Sequence, residues 1–177
     1  ASPRGAAPPS EPRPLPAMPT SFEPTDVALR NGRTVRLRAI GPADEEELLQ
    51  AFDRLGAHAR YMRFMHSVRE ANIPRLRKIL DSFPEKGLAV AATVPAEDGI
   101  DIVGTATIMI GPRGDDCEFA LSVVDEWAGA GLGRALLSAL VEAARRRGLR
   151  EMTGFVLAQN DAMLRLAARL GFEVKRD

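Results

Sequence analysis

The stretch Val123-Val124-Asp125-Glu126-Trp127-Ala128-Gly129-Ala130-Gly131-Leu132-Gly133-Arg134 constrains this chain more than any other. An apolar strand runs into glycines at alternate positions, and these enter an amphipathic segment that reaches Arg147. Glycine has no Cβ, so it accepts left-handed backbone and lets a ligand approach the main chain. The first N–H groups of a helix lack intrahelical acceptors, and the helix dipole favours negative charge beside them. Strand, glycine turn and helix N-terminus in that order read as a phosphate cradle, with Arg134 adding a positive group. A tight, closely packed turn with no ligand is the alternative, and this feature alone leaves it open. A P-loop is excluded, because Gly133 is followed by Arg134-Ala135 rather than by Lys and Ser or Thr. A dinucleotide-binding turn is excluded too: it needs a third glycine at position 134 and a place in the first strand–helix unit.

The rest of the chain builds a fold around that turn. Of its 13 prolines, eight precede Val27, and proline sustains neither a helix interior nor a sheet ladder. Residues 1–24 are therefore expected to be a disordered or polyproline-like tail, either an interdomain linker or a remnant with no role. Residues 25–177 are expected to form one domain. The first residue is Ala1 rather than Met, which suggests a processed product or a piece of something longer.

Thr34–Ile40 alternates polar and apolar residues and predicts a half-buried strand. Pro42 and the acidic run Asp44–Glu47 suit a helix start; that helix runs to about Leu55, with Gly56 as its stop. Shorter helices are expected over 57–67 and 74–82. Leu88–Val94, Ile100–Ile110 and Cys117–Val124 read as strands, the last two joined by the turn cluster Gly111–Asp116. A helix over Leu132–Arg147 ends at Gly148, with Arg145, Arg146 and Arg147 expected as a solvated, dipole-matched terminus. Glu151–Ala158 reads as a strand, Asp161–Leu170 as a helix, and Phe172-Glu173-Val174 as the start of another strand. Adjacent strands in the middle and alternation afterwards predict an α/β fold, a mixed sheet with helices on its faces.

Composition narrows the class. The formal net charge of zero gives no case for nucleic acid or an anionic membrane as partner. Cys117 is the single cysteine, so no intrachain disulfide forms, and a free thiol suits a reducing, cytoplasmic compartment. No run approaches the roughly 20 apolar residues of a membrane span. One cysteine with His58 and His66 has no zinc-ligand spacing, and no metal is expected.

Two motifs, in the expected order, make roughly residues 34–174 resemble the GNAT superfamily of N-acetyltransferases. The first is Gln or Arg, two residues, Gly, one residue, then Gly or Ala; Gly131 and Gly133 match it, while Ala128 stands where Gln or Arg is usual. The second is Asn160 opening the last long helix, which ends in Gly171-Phe172. The resemblance implies a mixed, mostly antiparallel central sheet flanked by helices, acetyl-CoA as cofactor, and direct acetyl transfer to an amine in a ternary complex. It implies that backbone groups of Val123 and Val124 bind the pantetheine arm. The amides of Gly129, Ala130, Gly131, Leu132, Gly133 and Arg134 would bind the pyrophosphate, and Asn160 would contact the cofactor near the pantetheine. Asn is also a favoured helix N-cap, and both roles stay open.

Ala59-Arg60-Tyr61-Met62-Arg63-Phe64 and Glu118-Phe119-Ala120 are similar to the catalytic domain of bacterial protein lysine acetyltransferases, which modify acyl-CoA synthetases and related enzymes. That similarity implies a protein lysine as acceptor, an acyl-CoA synthetase-like enzyme as partner, and a place in a larger multidomain chain. It puts Tyr61 and Phe64 on the acceptor side. The family continues into a final strand pair, which would lie beyond Asp177.

An unperturbed lysine has a pKa near ~10.4, so acetyl transfer to it needs a base. Glu118 is the candidate: it lies on the strand leading into the turn, and protein lysine acetyltransferases of this superfamily carry a catalytic Glu at the matching position. Its neighbours Cys117, Phe119, Ala120 and Leu121 suggest apolar surroundings, which raise a carboxylate's pKa toward the working pH. A solvent-facing strand carboxylate is the alternative. Many GNAT enzymes place a general-acid Tyr in the last helix, but Ala167 stands there. Cys117 alternates to the face opposite Glu118 and reads as a buried structural thiol. The competing functions are acetylation of a small or N-terminal amine, and a non-catalytic acyl-CoA-binding regulatory module.

Overall fold

A computed structural model describes residues 22–64, 70–97 and 99–176. The expected tail over 1–24 therefore lies almost wholly outside the described residues, and so does His66. Six strands form one sheet in chain order: β1 (Thr25–Ala28), β2 (Thr34–Ala39), β3 (Gly87–Ala96), β4 (Gly99–Ile110), β5 (Asp116–Val123) and β6 (Glu151–Thr153). Every neighbouring pair is antiparallel except β5 and β6. Helices α1 (Glu45–Arg54), α2 (Ala57–Phe64) and α3 (Ile73–Asp81) connect β2 to β3, α4 (Leu132–Arg146) crosses from β5 to β6, and α5 (Asp161–Arg169) follows β6. The expected α/β class and mixed, mostly antiparallel sheet are what the chain adopts.

Alternation along the strands gives the sheet two cores. Val35, Leu37, Val90, Ala106, Ile108, Cys117 and Phe119 face α4, which returns Leu132, Leu136, Leu137 and Leu140. Those four leucines recur at helical spacing and are at most 1% exposed. Burying each stabilises the fold by about 1.5–3 kcal/mol. On the other face Ile40, Ala89, Ala91 and Ile102 meet Ala51 of α1 and Leu80 of α3. The register of β3 on β4 shifts between Ala92 and Thr93, and around this irregularity Ile102 serves one core and Val103 the other.

Both long helices after the turn end as glycine permits. Gly148 and Gly171 are left-handed, with φ of 73° and 91°. Leu149 N–H donates to Ala144 O and Gly148 N–H to Arg145 O, both at 3.0 Å; Phe172 and Gly171 repeat the pattern on Ala167 and Ala168. This pair of bonds satisfies carbonyls that a helix end leaves open. The turn drives Phe172 inward, where its ring meets Phe119 at 5.3 Å between centroids.

Several expectations need correction. A strand the sequence pattern did not signal, β1, pairs with β2. Gly56 separates α1 from α2 without adopting left-handed backbone; α1 closes at Leu55. Arg147 is not solvated: it is 9% exposed and donates to Pro84 O at 2.7 Å and Gly87 O at 3.1 Å, because it follows Leu140 and Ala144 on the inward face of α4. The strand expected over Glu151–Ala158 stops at Thr153, and none starts at Phe172. The first stops because Gly154 passes directly over Phe119, whose ring a Cβ there would strike. The second is absent because Phe172 turns into the core instead of pairing.

The β2–α1 connection is closed by Arg38, which donates to both carboxylate oxygens of Asp44 at 2.8 and 3.0 Å, while Gly41 N–H donates to Asp44 at 2.9 Å. The bond from Arg38 holds the Asp44 carboxyl below the usual carboxylate range, with burial opposing it. A depressed folded pKa stabilises above the unfolded value, near ~3.9, and that stability is lost as pH falls through the folded pKa. Asp44→Asn should therefore lower the melting temperature at pH 7, and the gap to wild type should close in melts taken at progressively lower pH below about 4.

Candidate active site

The site grows from the end of β5. β6 pairs with β5 only over Asp116–Glu118, against Glu151–Thr153. From Phe119 to Val123 one edge of β5 therefore has no strand partner among the described residues. Val124 N–H donates to Val103 O at 2.9 Å, and Gly104 stands opposite Val123. Antiparallel ladders alternate, so Val123 and Leu121 aim their N–H and C=O groups at the open edge. Val124 is placed differently: its N–H is held by Val103, and its C=O accepts from Trp127 N–H at 2.9 Å.

A short 3-10 turn, Asp125–Trp127, then delivers the chain to the glycines. Gly129 and Gly131 have φ of 80° and 94°, and Gly131 is the N-cap of α4. A Cβ on Gly129 would meet nothing within 4 Å. Among the described residues no acceptor takes the N–H groups of Gly129 to Arg134; the first bond of α4 runs from Ala135 N–H to Gly131 O, at 3.1 Å. The carbonyl side of the turn is held by the β1–β2 hairpin. Arg30 N–H donates to Ala130 O at 3.1 Å, Arg30 Nη2 to Gly129 O at 3.2 Å, and Arg33 lies over the Trp127 ring at 4.6 Å.

Open donors, a helix N-terminus and a free strand edge thus lie in one line, and Leu121 and Leu166 of α5 close the side beside Gly133. Asn160 caps α5 by accepting from Met163 N–H at 3.3 Å. Its carboxamide NH2 has no acceptor among the described residues, so capping does not exhaust the side chain.

Glu118 sits at the last β5–β6 pair, opposite Thr153 and Met109. Its side chain is exposed, while Cys117 and Phe119 are 3% and 6% exposed. The apolar enclosure suggested by its sequence neighbours is absent, since strand neighbours point to the opposite face. What approaches is charge. Arg63 of α2 lies in the field of Glu118 and of Arg75, and burial followed by repulsion from Arg75 lowers its pKa. Nothing in the sequence pattern signalled that Arg63 would feel the charge of Glu118, because they are 55 positions apart.

Tyr61 is 37% exposed. The Phe64 ring lies tilted against Phe52, 5.8 Å between centroids, where Arg60 also lies over the Phe52 ring at 4.3 Å. Phe64 thus joins α2 to α1, while Tyr61 stays open to a partner. Ala167 is buried at 6%, and His58 is exposed. Burial, then the charge of Asp116, pushes the Cys117 thiol up to about 11. No helix among the described residues is long and apolar enough to cross a membrane.

Residues 48–172 match the Acetyltransferase (GNAT) family. The chain belongs to the GNAT acetyltransferase family. It is 31% identical over 150 residues to Acetyltransferase PA5475 of Pseudomonas aeruginosa, covering 85% of this chain and 81% of that one. It is 29% identical over 151 residues to Acetyltransferase Pat of Mycolicibacterium smegmatis, covering 84% of this chain but 44% of Pat. The crystal structure of the GNAT domain of S. lividans PAT superposes with a TM-score of 0.79 at 27% identity, over 87% of this chain and 90% of that one.

This GNAT protein is thus an acetyl-CoA-dependent acetyltransferase. Acetyl-CoA fits the groups described: an anion meets open N–H donors at a positive helix end, and an extended amide-bearing arm meets an open strand edge.

The glycines of this GNAT turn should differ in what they tolerate. Gly131→Ala forces a side chain into left-handed backbone at a cost of about 1–2 kcal/mol and should lower both melting temperature and coenzyme A affinity. A Cβ on Gly133 would sit at ordinary contact, 3.5 Å from Leu166, so Gly133→Ala should leave coenzyme A affinity unchanged in calorimetry and should not lower the melting temperature. Cys117, neutral at pH 7–8, should resist thiol reagents in the native state and react fully only in denaturant, read as absorbance of the released reporter.

Proposed function

We propose that this GNAT enzyme acetylates a lysine side chain of a protein, with Glu118 as the general base. The observation that supports this most is the position of Glu118: an exposed carboxylate on β5, at the last residue pair before β6 departs. Five strand positions, about 16 Å, separate it from Val123 at the start of the turn. A long cofactor held by its pyrophosphate at the turn and by its arm along Val123 and Leu121 would bring its reactive end toward Glu118. Acetyl-CoA, when bound, supplies an acetyl group activated as a thioester. The work of this chain is then to position an amine and to take its proton.

An exposed carboxylate suits an acceptor that brings its own surface. The lysine ammonium approaches Glu118 between α2 and the β5–β6 gap, gives up its proton to the carboxylate or to a water held by it, and attacks as the free amine. Tyr61, exposed on α2, is proposed to contact the acceptor. Ala167 offers no proton donor, so the coenzyme A thiolate leaves unaided. Similarity to the Pat proteins supports a protein acceptor, for which an acyl-CoA synthetase-like enzyme is proposed. We also propose that residues 25–177 act as one catalytic domain and that the proline-rich segment before it links it to another.

The reading is tested by following coenzyme A thiol release with protein and small-amine acceptors. Glu118→Gln should lower kcat by ~10²–10⁴ at neutral pH while leaving the affinity for acetyl-CoA unchanged. Undiminished activity would remove Glu118 as the base. Turnover on small amines alone would sink the protein acceptor, and binding without turnover on any acceptor would favour a regulatory module.

A further inference from the structure

The geometry points to Arg30, in the turn between β1 and β2, as a positioning residue for the cofactor that makes a side chain at position 128 dispensable. This rests on the reading of Gly129–Arg134 as the pyrophosphate cradle. The motif shared by the family places Gln or Arg three residues before Gly131, where this chain has only the methyl of Ala128. Arg30 lies 98 positions upstream of it, yet it is hydrogen-bonded to the same turn.

Its two bonds have a common consequence. The C=O of Gly129 and the N–H of Ala130 belong to one peptide unit, and the C=O of Ala130 and the N–H of Gly131 to the next. In a planar trans peptide these groups point in opposite directions. Arg30 holds the first carbonyl with Nη2 at 3.2 Å and the second with its own N–H at 3.1 Å. Pinning both carbonyls to the hairpin aims the N–H groups of Ala130 and Gly131 away from it, to the side where among the described residues no acceptor takes them. The guanidinium also polarises the Gly129–Ala130 peptide, which strengthens its N–H as a donor.

Arg30 is also the cation of this hairpin left for that work. Arg33 is stacked on Trp127 at 4.6 Å, and Arg36 faces Asp26 at 4.0 Å. Arg30 has no carboxylate partner among the described residues, and its Nε lies 3.6 Å from where a Cβ of Gly131 would stand. A side chain at 128 would reach the phosphates from the front; Arg30 orders the donors from behind.

The test titrates the full chain with coenzyme A and, separately, with pantetheine, which lacks the phosphates. Amide resonances of Ala130 and Gly131 are read alongside affinity. For Arg30→Ala we expect about tenfold weaker binding of coenzyme A, the effect of one charge-assisted bond. Pantetheine binding should be unchanged, and the shifts of both amides on binding coenzyme A should shrink. Arg30→Lys, which keeps the charge but not the fork, should fall between. Equal weakening of both ligands would show a merely structural residue and overturn the proposal, as would unchanged coenzyme A affinity. A wild type that binds no coenzyme A would overturn the cradle reading itself.

Discussion

The parting of β5 from β6 is the constraint on which the rest depends. Parallel strands held by a crossover helix would ordinarily pair along their common length. Here pairing ends after Glu118 and Thr153 because the ring of Phe119 occupies the path, Gly154 crosses over it, and Phe172 packs against it. One aromatic residue therefore opens the strand edge at Leu121 and Val123 and leaves Glu118 at the mouth of the gap. The glycine and phenylalanine that end α5 belong to the same device: Gly171 makes the turn, and Phe172 supports the ring that keeps the strands apart.

Around that gap the labour is divided between backbone and side chains. The groups proposed to meet the cofactor are mostly main-chain atoms of β5 and of the glycine turn, and their directions are set by ladder alternation and by the hairpin behind them. The groups proposed to meet an acceptor are side chains instead, Glu118 and Tyr61, both exposed. Because strand alternation places Cys117 and Phe119 in the α4 core, the same few residues of β5 stabilise the fold with one face and present chemistry with the other.

What could be read from the sequence was what is local. The glycine turn, the amphipathic α4, the Asn160 cap and the Gly148 and Gly171 stops each carry their signal within a few residues, and each is found where expected. What could not be read depends on partners distant in the chain. Four residues, Thr25–Ala28, have no period of their own and become β1 only because β2 lies beside them. Arg147 looks like any terminal arginine until carbonyls of the α3–β3 connection reach it. Glu118 appears enclosed when its neighbours are counted along the chain and stands exposed when they are counted in space. Arg30 gains meaning only from the turn that the fold brings to it.

Among the described residues, β6 pairs with the sheet through Asp116–Glu118 alone. The segment after α4 is otherwise held, among the described residues, by one main-chain bond, from Arg150 N–H to Asp115 O at 2.6 Å, and by side-chain packing of Leu149, Met152, Met163, Leu166, Leu170 and Phe172 on the α4 core. Such a segment opens at lower free energy than the strands behind it. A ligand lying in the gap touches the well-tied half through β5 and the loosely tied half through α5. Its binding energy spans both halves, so occupancy would suppress the local opening of β6 and α5 by as much as it stabilises the whole sheet against unfolding.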